Sequence, residues 1–299
     1  MHVVATVAMV GDLVQRVGGS KVQVTTLMGS GVDPHLYKPI RDDFRMLQSA
    51  DVIFAVGLML EGRLRETLQR LSENHEVQSL GDHLPPDQLL DGDEDGDASA
   101  PAHPDPHVWM DIALWSLVLP QIAALLSQTM PEYRSEFYQR ADLAAGELRQ
   151  LHEYGRTVIA SIPRTSRVLI TSHDAFHYFG RAYGIEVLGV QGLSTESEAG
   201  LLKVNELVDI LVARKVSAVF VETSVPRKSI EALIEGAASR GHRVRIGGSL
   251  YSDAMGESGT WEGTYAGMLD HNLTVVARAL GGTAPLRGYS GLLSMKDEG

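Results

Sequence analysis

The strongest constraint on this chain is an alternation of short apolar runs and helical stretches, found on both sides of a long polar segment with helical character. In the first half, residues 2–6, 22–27 and 51–56 read as buried strands. Helical patterns over about 8–17, 41–48 and 64–71 follow them. Together they build α/β layers with mainly parallel strands. The second half restarts the rhythm, with strands at 167–171, 185–190, 218–221 and 244–246 and helices at about 175–182, 201–214, 227–239 and 261–279. The halves share rhythm rather than letters, so no internal repeat is assigned.

Between them, residues 111–127 read as one amphipathic helix, and Pro131 opens a longer helical stretch to about residue 161. A 30-residue helix is about 45 Å long, which suits a rigid connector. A chain of 299 residues exceeds the usual single-domain size. The expected division is an N-terminal α/β lobe at 1–130, a linker helix at 131–161 and a C-terminal α/β lobe at 162–299. The tail after Gly281 is expected as loop, with residues 292–295 packing back.

Composition removes several function classes. The formal net charge is −12 and no Lys/Arg-rich tract occurs, so a nucleic-acid partner is excluded for want of a basic footprint. Cysteine is absent, which excludes thiolate zinc sites, iron–sulfur clusters, cysteine nucleophiles and disulfides. No uninterrupted run of about 18 apolar residues is read, so no membrane span is expected. The opening MHVVATVAMVG lacks a basic leader and a small-residue cleavage pattern and reads as strand into helix. No GxSxG, GxxxxGK[ST] or GxGxxG after the first strand occurs, so triad and nucleotide readings fail.

What remains is a spaced set of polar residues: His35 in DPHLYKP, His107 in DPHVWMD, His173 in TSHDAF and Asp253 in LYSDAMG. Three imidazoles and a carboxylate make a cage for a divalent ion such as zinc or manganese if the fold gathers them. His35, His173 and Asp253 each follow a strand-like run, where open α/β sheets collect ligands. On residues alone, the alternative of four separate surface or core side chains stays open. So does a His173–His177 pair at helical spacing that binds metal without His107. Asp111 and Asp174 are expected as helix caps. Glu222 divides between hydrogen-bonding a ligand histidine and a surface ion pair. Residues 91–97, DGDEDGD, read as a solvated acidic loop or a cation antenna. Ala102 occupies the twelfth position, where a calcium loop needs glutamate.

Taken in order, GVDPHLYKP (31–39), ADVIFAVGLMLEG (50–62), DPHVWMD (105–111), TSHDAFHYFGRAYG (171–184), VFVETSVPRKSIEAL (219–233) and GSLYSDAMGESGTWEGTYAGMLDHN (248–272) resemble the TroA-like, cluster A-I receptors of bacterial zinc and manganese ABC importers. The resemblance implies two α/β lobes joined by one backbone helix, with the ligand site in the interlobe cleft. His35, His107, His173 and Asp253 would hold one Zn²⁺ or Mn²⁺ per chain as transported cargo, with no catalysis. Its implied partner is an integral-membrane ABC permease with its ATPase, and a monomer is expected. The implied setting is periplasmic or extracytoplasmic, with the export signal removed and a membrane anchor compatible with the native full-length form. Histidine at position 173, where many manganese receptors carry glutamate, favours zinc. Two departures stand out. The segment 81–106 is acidic with only His83 and His103, where zinc receptors often carry many histidines, and His177 stands where glycine is common. A metal-dependent hydrolase and a metal-stabilised exported adhesion protein are the alternatives.

Overall fold

Strand β1 (His2–Val7) is buried along nearly its whole length because it lies inside a parallel sheet. The computed structural model describes residues 1–92, 103–197 and 200–294. Helix α1 (Ala8–Gly18) leads from β1 to β2 (Gln23–Met28), and α2 (Arg41–Gln48) precedes β3 (Val52–Ala55). Helix α3 (Arg65–Leu71) then leads to β4 (Glu76–Ser79). The four strands pair in parallel in the order β2-β1-β3-β4. Strand β4 was not expected from the sequence. Its EVQS has a single apolar residue, and at an edge, half-buried, it needs no more.

The single helix expected over 111–127 is two: α4 (Ile112–Trp115) and α5 (Val118–Thr129). Pro120 is the reason. Its ring would strike the carbonyl four residues back, at Ser116, so the chain tightens there instead of continuing, with Leu117 N donating to Leu114 O and Leu119 N to Ser116 O. Asp111 caps α4, as expected, by accepting from the amides of Ala113 and Leu114. Among the described residues, 112–129 is the one stretch long and apolar enough by composition to cross a membrane. It is broken at Pro120's turn, and Ile112, Trp115, Leu119, Ile122 and Leu126 are fully buried.

Helix α6 (Arg134–Ala160) spans 27 residues without interruption, and the boundary between two compact units, Met1–Gln150 and Leu151–Gly299, falls inside it. Gly155 does not break it. A Cβ there would come within 2.9 Å of Tyr183 and Leu273, so glycine admits their close packing.

In the second unit β5 (Val168–His173), α7 (His177–Tyr183) and β6 (Glu186–Gln191) are followed by α8 (Leu201–Ala213), β7 (Ala218–Glu222), α9 (Lys228–Ser239), β8 (Arg245–Leu250) and α10 (Tyr265–Ala279). Strands β5 and β6 pair in parallel, as do β7 and β8, and β5 packs beside β7. Their core includes Ile170, Leu207, Leu211, Val219, Ile230 and Leu233. Strand β8 runs four residues beyond the expected 244–246. Gly247 lets it lie against Phe220, and a register shift at Val219/Phe220 absorbs the irregular path. Helix α10 starts four residues later than expected, where Thr264 accepts from Gly267 N. The tail packs back as expected, with Leu293 buried and Ser294 bonded to Glu262. The expected architecture therefore holds: two α/β lobes with parallel sheets, connected by a long helix.

Candidate metal centre

Two of the expected donors lie together in the first unit. His35 sits in the loop after β2, where Asp33 Oδ1 accepts from the His35 and Leu36 amides in an Asx turn. His107 repeats the local chemistry, since Asp105 Oδ1 accepts from His107 N at 2.9 Å. The same carboxylate also stands 2.7 Å from His107 Nδ1. That contact places the ring proton on Nδ1 and leaves the lone pair on Nε2. His107 Nε2 points at His35 Nε2, 3.3 Å away, with the rings tilted by 53°. Asp105 and His107 are both fully buried, and Trp109 sets its ring edge-on to His107.

The other two donors lie together in the second unit. His173 is the last residue of β5, and its Nε2 is 3.1 Å from Asp253 Oδ2, in the loop after β8. Glu222, the last residue of β7, reaches the other nitrogen of the same ring. Its Oε2 is 2.6 Å from His173 Nδ1, and its Oε1 accepts from His173 N at 3.0 Å. Burial alone would push the imidazole pKa down, but the carboxylates of Glu222 and Asp253 outweigh it and hold the ring well above its usual value. Glu222 thus belongs against His173, rather than in a surface ion pair.

Asp105 is the residue that sequence reasoning passed over. The signal was present in the repeated Asp-Pro-His of residues 33–35 and 105–107, because an aspartate two positions before a histidine can reach both its amide and its ring.

Two expectations are corrected here. Asp174 does not cap α7; its Oδ1 accepts from Gly189 N across to β6. His177 shares no helix face with His173, because His173 ends a strand and α7 begins only at His177. His177 Nε2 stands 3.4 Å from Asp174 Oδ1. Other histidines have structural partners: His75, His242 and His271 contact the backbone carbonyls of Gln48, Val216 and Ser249. Of the acidic segment, Asp91 pairs with Pro104 in an isolated bridge, whereas Asp93, Glu94, Asp95 and Asp97 lie outside the described residues.

Three imidazoles and one carboxylate, each buried, are a donor set suited to a single divalent transition-metal ion. Residues 3–279 match the family model described as zinc-uptake complex component A, periplasmic. The chain is 46% identical over 280 residues to the manganese-binding lipoprotein MntA of Bacillus subtilis, covering 94% of this chain and 90% of that one. It is 42% identical over 278 residues to the zinc-binding protein TroA of Treponema pallidum, covering 93% and 88%. The solved structure of that periplasmic zinc-binding protein superposes with a TM-score of 0.88, over 93% of this chain and 98% of the other.

Proposed function

Since this chain belongs to the periplasmic zinc-uptake component A family, we propose that His35, His107, His173 and Asp253 jointly ligate the one ion it captures, two donors coming from each unit. The chain is a high-affinity capture protein for zinc or manganese in the solute-binding family of ABC importers, and it is not an enzyme. The family works with a membrane permease and its ATPase, and periplasmic placement is typical of it. Neither the hydrolase nor the adhesion alternative has support.

The observation that carries the ligand assignment is the buried carboxylate behind a donor imidazole in each unit, Asp105 behind His107 and Glu222 behind His173. Such a carboxylate fixes the ring, raises its basicity and turns the other nitrogen toward an ion. Four protein ligands fill a tetrahedral zinc site and leave no place for a reacting water. An imidazole-rich set holds Zn²⁺ more tightly than Mn²⁺ by the Irving–Williams order, so zinc is the favoured cargo and manganese the one it competes with. The working division is residues 1–130 and 162–299 as ligand-bearing lobes with 131–161 as their connector. The loaded chain docks as a monomer on the importer's permease, which takes the ion.

The test is to measure metal bound to protein purified without chelator. The stripped protein, wild type and His173→Ala, is then titrated with zinc and manganese in competition. One ion per chain, held less tightly by the variant, is expected. An absence of saturable binding, or wild-type affinity in His173→Ala, overturns the assignment.

A further inference from the structure

The turn that follows β3 is built in an unusual way. Gly57, Leu58 and Met59 have φ of 78°, 51° and 70°, three successive residues in the left-handed region. Leucine and methionine rarely adopt it, and a turn needing only to reverse direction would use glycine or asparagine there. What holds this one is Glu61. Its Oε1 accepts from Thr6 Oγ1 at 2.7 Å and Val56 N at 2.8 Å, and its Oε2 accepts from Gly57 N at 3.1 Å. Glu61 and Thr6 are both buried, so the carboxylate ties the turn to β1 and to the end of β3. Gly81 N donates to Val56 O from the other side. A conformation this costly survives only where its surroundings over-determine it, and such places cluster at functional sites.

The far end of the turn lies close to the backbone of His35. Gly62 faces the carbonyl of His35, which lies 3.7 Å from where a Cβ at Gly62 would stand. Asp33 holds the amide side of the same residue. His35 therefore has its N–H held by an Asx turn, while its C=O lies beside the end of a strained turn locked with a buried carboxylate.

We propose that Glu61 is a positioning residue for ion capture, fixing the backbone of His35 through the turn at residues 57–62. This rests on His35 being a ligand. Glu61 touches no ion; it sets how closely His35 Nε2 is held to the geometry the ion requires, and so how slowly the ion leaves.

Glu61→Gln tests it, because the amide nitrogen turns a donor either toward Gly57 N or toward Thr6 and Val56 N, whichever oxygen it replaces. Zinc affinity is measured by competition for Glu61→Gln, His35→Ala and the double variant, and the visible spectrum of the Co²⁺-loaded proteins is recorded. Thr6→Val, which removes one of the three hydrogen bonds, is carried alongside in case Glu61→Gln does not fold. Expected are at least a tenfold loss of affinity in Glu61→Gln, a smaller loss in Thr6→Val and altered Co²⁺ bands in both. Neither change should cost further affinity once His35 is alanine. Wild-type affinity and spectrum, even with a lowered melting temperature, would reduce Glu61 to a fold-stabilising residue and overturn the proposal. So would losses that persist unchanged in the His35→Ala background. Unchanged affinity in His35→Ala alone would instead remove His35 from the ligand set, a separate failure that identifies the ligand assignment as wrong.

Discussion

Glu222 grips His173 at two points, its Oε2 2.6 Å from the ring Nδ1 and its Oε1 3.0 Å from the main-chain amide. One carboxylate therefore sets both the tautomer and the backbone of a proposed ligand. Glu222→Gln keeps the size but removes the charge and presents an N–H to one of those donors. Loss of such a partner behind a ligand histidine costs about 10–100-fold in metal affinity. Calorimetric zinc titration of the variant checks this, and a change under threefold would detach Glu222 from the ion.

The same pair sets the pH response. Against the desolvation that would lower it, Glu222 and Asp253 hold the His173 pKa well above 6.5. A raised folded value means that the protonated ring stabilises the metal-free protein fully below 6.5, and that this contribution is lost as pH rises through the higher folded pKa. The ion must displace the Nε2 proton, so affinity rises with pH by about tenfold per unit for one proton released. Titrations between about pH 5.5 and 7.5, in buffers of different ionisation enthalpy, count that proton. A flat profile contradicts the assignment.

Gly189 exists for Asp174. A Cβ at Gly189 would overlap the Asp174 carboxylate, whose Oδ1 accepts from Gly189 N. Gly189→Ala should destabilise the fold by about 1–3 kcal/mol, the usual range for overpacking a tight site. Urea denaturation reads it, and an unchanged midpoint would show that the contact yields freely.

The C-terminal segment hangs on a carboxylate. Glu262 Oε1 accepts from both the amide and hydroxyl of Ser294. Burial pushes the Glu262 carboxyl up, but those hydrogen bonds outweigh it and its pKa falls below 4.5. A lowered folded pKa gives stability present above 4.5 and lost as pH falls through the folded value. Glu262→Gln should therefore cost about 1–2 kcal/mol near neutrality, with the gap to wild type closing in acid. Paired thermal melts across pH measure it; a gap independent of pH would show that the charge is irrelevant.

Much of this could be read in the sequence because the information is local. Arg41–Gln48 forms the helix its pattern predicts, and Asp111 caps α4 as its position before an apolar run suggests. Several errors came where a distant partner decided the outcome. Asp174 looked like a cap, but Gly189 on a neighbouring strand offered an amide, and α7 starts too late to use it. Strand β8 looked short because Gly247 and Gly248 lower strand propensity, yet Phe220 fills the space beside Gly247 and Val275 the space beside Gly248. Pro120 was a local signal, and it was overlooked. Glu61 carried no signal at all beyond being an acid after an apolar run; only the folded turn shows what its carboxylate holds.

The bridge between Asp91 and Pro104, with Gly92 N donating to His103 O, brings the chain back to its point of departure two residues before the Asp-Pro-His that carries His107. Asp105 shapes His107 from within that tripeptide, so its local geometry is set by residues 105–107 themselves. Doubling a flexible connection between two fixed ends costs only about 0.6 kcal/mol of closure entropy. The tripeptide beyond the bridge thus carries its own shape, independent of how many residues join Gly92 to His103.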